Sequence, residues 1–377
     1  METDSATAVT PRESRARDRV AWLAALSLAL AALVPLTSRS GTGDLSGYTD
    51  HLRHAAMVEL ALRHGLDVYR APYGELLHRT PLVRAPREWE GVGYLYPPGA
   101  LALFAPLALL GKVIRDDDHF ARVCLFYVLL WTHVAIFYVC RSLTSLPGKL
   151  RIAAGLLAWA LLLHAGLCGQ YEAAWVLCAG FAIGAFASQR HAQAIGWICA
   201  AALLHQRAMV LAPVGIAALW ASLRGPGARW KPPREWPWPA LAAGAVAIGV
   251  AFACTAAAAR WAGAARNVSP LLEEPAEPVS WAAVALTAAA GALCARWRQW
   301  LLLGAVGVVG SFALVDSRHW WHATIALPAL LLMFAAPPAR STTLQAGMLL
   351  WFVGMQRVFG ERPLELFKQL GAFLRST

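Results

Sequence analysis

The chain has 377 residues, of which 58% are hydrophobic and only 15% charged, with a mean hydropathy of +0.49. That balance excludes an ordinary soluble domain and points to a polytopic membrane protein. The formal net charge of +11 comes mostly from Arg in short loops between apolar runs, a distribution that orients helices in a bilayer, so no nucleic-acid partner is expected.

Backbone polar groups in hydrocarbon must be paired within the protein, and the apolar runs here are unbroken rather than alternating. The expected fold is therefore an all-α transmembrane helical bundle and not a barrel. Residues 1–19 form a cytoplasmic tail in which Arg12, Arg15, Arg17 and Arg19 precede the run Val20 to Leu36. A secretory leader begins in the same way, but "PLTSRSGTG" offers no small-x-small cleavage site, so the run is read as the first span. A polar segment of about sixty residues follows, Thr37 to Tyr96, far longer than a usual helix connection and therefore expected to be functional.

The stretch "YPPGALALFAPLALLGK", Tyr96 to Lys112, is short, opens on Pro97 and Pro98 and carries Pro106. The later run Phe120 to Cys140 ends at the basic positions Arg141, Lys149 and Arg151, which belong inside. Tyr96 to Lys112 is therefore read as a juxtamembrane helix dipping into the outer leaflet, and residues 37–119 as one long external loop that includes Asp116, Asp117 and Asp118.

The remaining runs then alternate: Ile152 to Leu167, Tyr171 to Ala187, Ala194 to Leu204, Ala208 to Leu223, Trp238 to Ala259, Trp281 to Ala295, Trp300 to Val315, Trp321 to Ala336 and Leu344 to Phe359. The total is about eleven spans, several shorter than the roughly twenty residues of a normal crossing. The seven Cys lie in or beside apolar runs without a C-x-x-C pair and read as small packing residues. The prevalence of Ala and Arg over Lys reads as a bacterial composition, and hence as a place in the cell inner (plasma) membrane.

This topology collects the polar clusters on the external side: Tyr48 to His54, Tyr94 to Tyr96, Gln170 to Glu172, His205 to Arg207 and Asp316 to His322. A helix over Asp50 to His64 would put Asp50, Arg53 and His54 on one face, although Asp50 or Thr49 can equally be a helix cap. His51 and His54 lack a further ligand cluster, so no metal site is expected. His205-Gln206-Arg207 is either a turn whose Arg reaches the headgroups or an ionisable group at membrane depth with a functional partner. In "DSRHWWH" the two Trp suit an interfacial belt, while Arg318, His319 and His322 suit a phosphate. Glu172 is first read as an acid at a helix N-terminus.

The segments "GYTDHLRHAAMVELALRHGLDVYRAPY", "YLYPPGALALFAPLALLG" and "GQYEAAWVLCAGFAIGAFASQR", in that order and spacing, resemble the integral-membrane glycosyltransferases of the GT-C superfamily. They look closest to the bacterial polyprenyl-phosphate-mannose-dependent mannosyltransferases. The resemblance covers roughly residues 20–225, a catalytic module, and leaves 226–377 as a variable C-terminal transmembrane module. This chain has Glu172 where that family usually has an amide, and "HQRAMVLAP" where it has Lys-x-x-Pro; Arg207 would replace the Lys, but Pro213 then stands outside the family's spacing.

The resemblance implies transfer of a sugar, with mannose the first expectation, from a polyprenyl-phosphate donor to a lipid or glycan acceptor on the external face. Asp50 would be the general base, in an inverting reaction without cofactor or metal. Candidate donor- and acceptor-binding residues are Tyr48, His51, Arg53, His54, Tyr96, Gln170, His205, Arg207, Arg318, His319 and His322. The competing expectation is a transporter or flippase of lipid-linked saccharides, in which the same groups bind headgroups without chemistry.

Overall fold

The computed structural model describes residues 50–82, 93–142, 148–167, 169–205, 208, 211–223 and 230–259, with some helical positions between 19 and 30. The four expected spans after residue 280 lie outside the described residues, as do Tyr48, Arg207, Arg318, His319 and His322.

The described elements are helical, with no strand among them. In chain order they are α1 (Asp50–His64), a 3-10 turn (Gly65–Tyr69), α2 (Tyr73–Arg79), α3 (Pro98–Leu110), α4 (Asp117–Ser142), α5 (Gly148–Leu167), α6 (Glu172–Ala187), α7 (His191–Leu204), α8 (Ala212–Leu223), a second 3-10 turn (Pro233–Glu235) and α9 (Trp238–Ala259). One of these, α4, is by length and composition capable of crossing a membrane; Pro98–Leu110, Glu172–Phe186 and His191–Leu204 are apolar but shorter.

Local chemistry accounts for the ends. α1 opens on an acid, Asp50, and closes on Arg63 and His64, which matches the helix dipole at both ends. It then gives way at Gly65, whose φ is positive. α3 starts on Pro98 with Pro97 as its cap, a position where a missing N–H costs no helical bond.

α5 ends in a Schellman turn: Gly169 N–H bonds Gly166 O at 3.0 Å and Gln170 N–H bonds Ala165 O at 2.9 Å, with Gly169 left-handed. α6 ends in the same way, Gln189 N–H to Phe186 O and Arg190 N–H to Ala185 O, but here the left-handed residue is Gln189, at φ 61.

The helices pack around two apolar centres. One gathers Met57, Leu60, Tyr73, Leu76, Tyr94, Phe104, Leu107 and Cys124, joining α1, α2 and α3 to the first half of α4. The other gathers Ile136, Leu161, Leu162, Trp175, Ile183, Leu211 and Val214 from α4 to α8. Tyr171 and Ala174 belong to the first centre and Trp175 to the second, so the start of α6 is where the two meet.

Large apolar side chains also face outward. Phe126, Leu130 and Val134 form an exposed stripe at i, i+4, i+8 on α4, and Trp22, Leu26 and Leu30 repeat that spacing in the first helical segment. That segment docks on the bundle through Ser27. The Trp159 indole N–H donates to Ser27 Oγ at 2.9 Å, and Ser27 Oγ meets His133 Nε2 at 3.0 Å. A polar contact that is satisfied inside an otherwise apolar packing face fixes the relative position of three segments.

Candidate active site

Asp50, at the first position of α1, is almost fully buried and accepts a hydrogen bond at 2.5 Å from Gln170 Nε2, 120 positions further along the chain. The Schellman turn sets this contact up, because it turns the backbone at Gly169 and delivers the next side chain against the start of α1. His51 fits there only because residue 169 is Gly: an added Cβ would lie 2.3 Å from His51 Nδ1.

His51 is fully buried, and among the described residues neither of its ring nitrogens has a hydrogen-bond partner. Burial disfavours the charged ring and brings its pKa down to about 4. The site therefore holds a neutral imidazole with one donor and one acceptor.

His54 lies one turn on, in an aromatic box. It stacks on Phe104 with centroids 4.7 Å apart, and meets the edges of Tyr96 at 4.6 Å and Tyr171 at 4.7 Å. Its Nδ1 shares a 2.9 Å hydrogen bond with the Tyr94 hydroxyl. Desolvation first, and then the neighbouring Arg53, His205 and His51, hold its pKa well below the ordinary histidine value. The Tyr94 phenol is driven well above its usual range, chiefly by burial. Arg53, also buried, uses Nη2 to donate to Gly93 O at 2.9 Å, which ties α1 to the segment that leads into Tyr94 and Tyr96.

The third part of the cluster comes from α6 and α7. His205, just past the end of α7, places Nε2 3.6 Å from Glu172 Oε1, while the Trp175 indole N–H donates to Glu172 Oε2. The His205 ring also packs against Tyr96 at 5.5 Å and Tyr171 at 5.6 Å, and Tyr171 Oη donates to Leu204 O at 2.9 Å. Close approach of α3 makes these contacts possible. A Cβ on Gly99 would lie 2.5 Å from Leu203 O, so only Gly lets the first turn of α3, with Tyr96 just before it, sit against the end of α7.

Of the polar clusters read from the sequence, four are thus brought together: Asp50 to His54, Tyr94 to Tyr96, Gln170 to Glu172, and His205. Among the described residues no three His, Cys, Asp or Glu side chains converge as metal ligands. Sequence reasoning gave Glu172 only a helix-terminal role. It does start α6, yet it also faces His205 and Trp175. The Glu172/Trp175 spacing of three was the available signal. Tyr171 and Trp175 are not among the candidate binding residues, because aromatic residues in an apolar helix carry no functional signature.

Comparison of the chain with family models, with curated proteins and with solved structures found no match in any of the three.

Proposed function

We propose that the chain is an integral-membrane glycosyltransferase of the GT-C type, which moves a sugar, with mannose the first candidate, from a polyprenyl-phosphate donor to a lipid or glycan acceptor at the external face of the plasma membrane. The observation that carries the reading is the Asp50–Gln170 hydrogen bond, which unites an acid and an amide from two of the three motifs that resemble that family. The exposed apolar stripes of α4 and of the first helical segment support a lipid environment, since soluble monomers rarely expose contiguous apolar faces of this kind. The arrangement of about eleven spans, with the N-terminus inside, is part of the same proposal.

In the proposed reaction the acceptor hydroxyl oxygen attacks the anomeric carbon and its proton passes to an Asp50 oxygen. The bond between that carbon and the phosphate oxygen breaks, and the polyprenyl phosphate departs with the electron pair. A carboxylate held by the Gln170 amide is aimed by that bond, and base catalysis of this type contributes about 10² to 10⁴-fold. A single base without a carboxylate nucleophile opposite gives inversion. His51 and His54, neutral and each with ring nitrogen capacity to spare, are suited to sugar hydroxyls. Cations near the departing phosphate would come from Arg207, Arg318 and His319.

Asp50→Asn tests the reading. The purified variant should remain folded in membranes and lose transfer from polyprenyl-phosphate-mannose to membrane lipids, with product read by mass. Full activity in Asp50→Asn would remove Asp50 as the base, and donor binding without turnover by the unmodified protein would favour the transporter.

A further inference from the structure

At the far end of α6 from Glu172, about 24 Å away at 1.5 Å per residue, α4, α6 and α7 enclose an open cleft of about 810 Å³. Its floor is aromatic. Tyr138 meets Phe181 at 4.5 Å and Phe181 meets Trp197 at 4.8 Å, one ring from each of three helices. The groove exists because the facing positions Gly184, Ala185, Gly196 and Ala200 are small; a Cβ on Gly196 would touch nothing within 4 Å.

Its rim is polar and cationic: Ser188, Arg190 and Gln193 line it, with no carboxylate among the lining residues. Arg190 is fixed there by the Schellman turn at Gln189. Arg141, in the last turn of α4, lies three residues beyond Tyr138 and so on the same face of that helix.

We propose that this cleft is a binding site for one anionic phospholipid, with its phosphate between Arg190 and Arg141 and an acyl chain in the groove over Tyr138, Phe181 and Trp197. A small free anion would engage the rim and leave the aromatic floor unused. A neutral hydrocarbon would make no use of two guanidinium groups, whose N–H forks suit phosphate oxygens. A cavity of this size with mostly apolar walls and a few polar groups at one end is of the kind that takes an amphiphile. The inference rests on the membrane reading, which puts this end of the bundle at the cytoplasmic leaflet, where anionic lipids attract basic groups. It does not depend on sugar transfer.

Native mass spectrometry of the full chain in neutral detergent tests it, with dioleoyl phosphatidylglycerol, dioleoyl phosphatidylcholine and glycerol phosphate as probes. The unmodified protein should retain the anionic lipid about tenfold over the zwitterionic one, as expected for a charge-assisted contact worth one decade. Arg190→Gln combined with Arg141→Gln should bring that ratio close to one. Gly196→Leu fills the groove with a good helix former and leaves both charges in place; it should reduce retained lipid at least severalfold, so the site stays testable if the double variant misfolds. Equal retention of both lipids, an unchanged ratio in the arginine variant, unchanged occupancy in Gly196→Leu, or displacement of the lipid by glycerol phosphate would each overturn the proposal.

Discussion

Gly169→Ala is the perturbation whose cost the structure specifies most closely. Two effects add. A residue with a Cβ in the left-handed conformation at φ +72 loses about 1–2 kcal/mol. The new methyl carbon would also stand 2.3 Å from His51 Nδ1, more than 1 Å inside the ordinary contact of about 3.5 Å, against a ring that is fully buried and cannot swing into solvent. Overpacking of this kind costs about 1–3 kcal/mol.

The expected destabilisation is therefore about 2–5 kcal/mol. In a His51→Ala background the obstacle is gone, and only the backbone share of about 1–2 kcal/mol should persist, a coupling of about 1–3 kcal/mol between the two sites. Reversible unfolding of the four proteins in mixed micelles, titrated with a denaturing detergent and followed by fluorescence, measures this directly. An equal cost in both backgrounds would mean that the ring does not lie against residue 169. A cost under about 0.5 kcal/mol would mean that the left-handed turn itself is absent.

Acid should destabilise the site. His51 has a folded pKa of about 4 against 6.5 when unfolded, and that of His54 is lowered as well, so between those values the unfolded chain binds more protons. Stability is then complete above pH 6.5 and falls as pH drops toward 4, by up to about 3 kcal/mol from His51 alone. Melting temperatures at pH 7.5, 6 and 5 should decrease in that order, with a shallower slope in His51→Ala; a pH-independent melt would contradict the burial of these rings. Glu172→Ala leaves the buried Trp175 N–H without its acceptor and removes the carboxylate that faces His205, and should cost about 1–3 kcal/mol, while Glu172→Gln, which keeps an acceptor for the indole, should cost less in the same unfolding assay. Identical losses for the two variants would mean that the charge facing His205, rather than the bond to Trp175, sets the cost.

What the sequence determined by itself was local. The helix Asp50–His64 has its expected bounds, and Trp238–Ala259 has those of its apolar run, because caps, prolines and uninterrupted hydrophobicity act within a few residues. The ends of the apolar runs at Leu167 and Ala187 are likewise the ends of α5 and α6, although nothing in a glutamine announces the left-handed backbone that Gln189 adopts.

Tertiary structure decided which clusters meet. Gln170 reaches Asp50 across 120 positions, Tyr94 reaches His54 across 40, and Glu172 turns toward His205 rather than remaining only a helix-terminal charge. Such pairings depend on the relative placement of whole helices, set by close approaches at Gly99 and Gly169 and by the aromatic packing around His54. No periodicity along the chain encodes that placement.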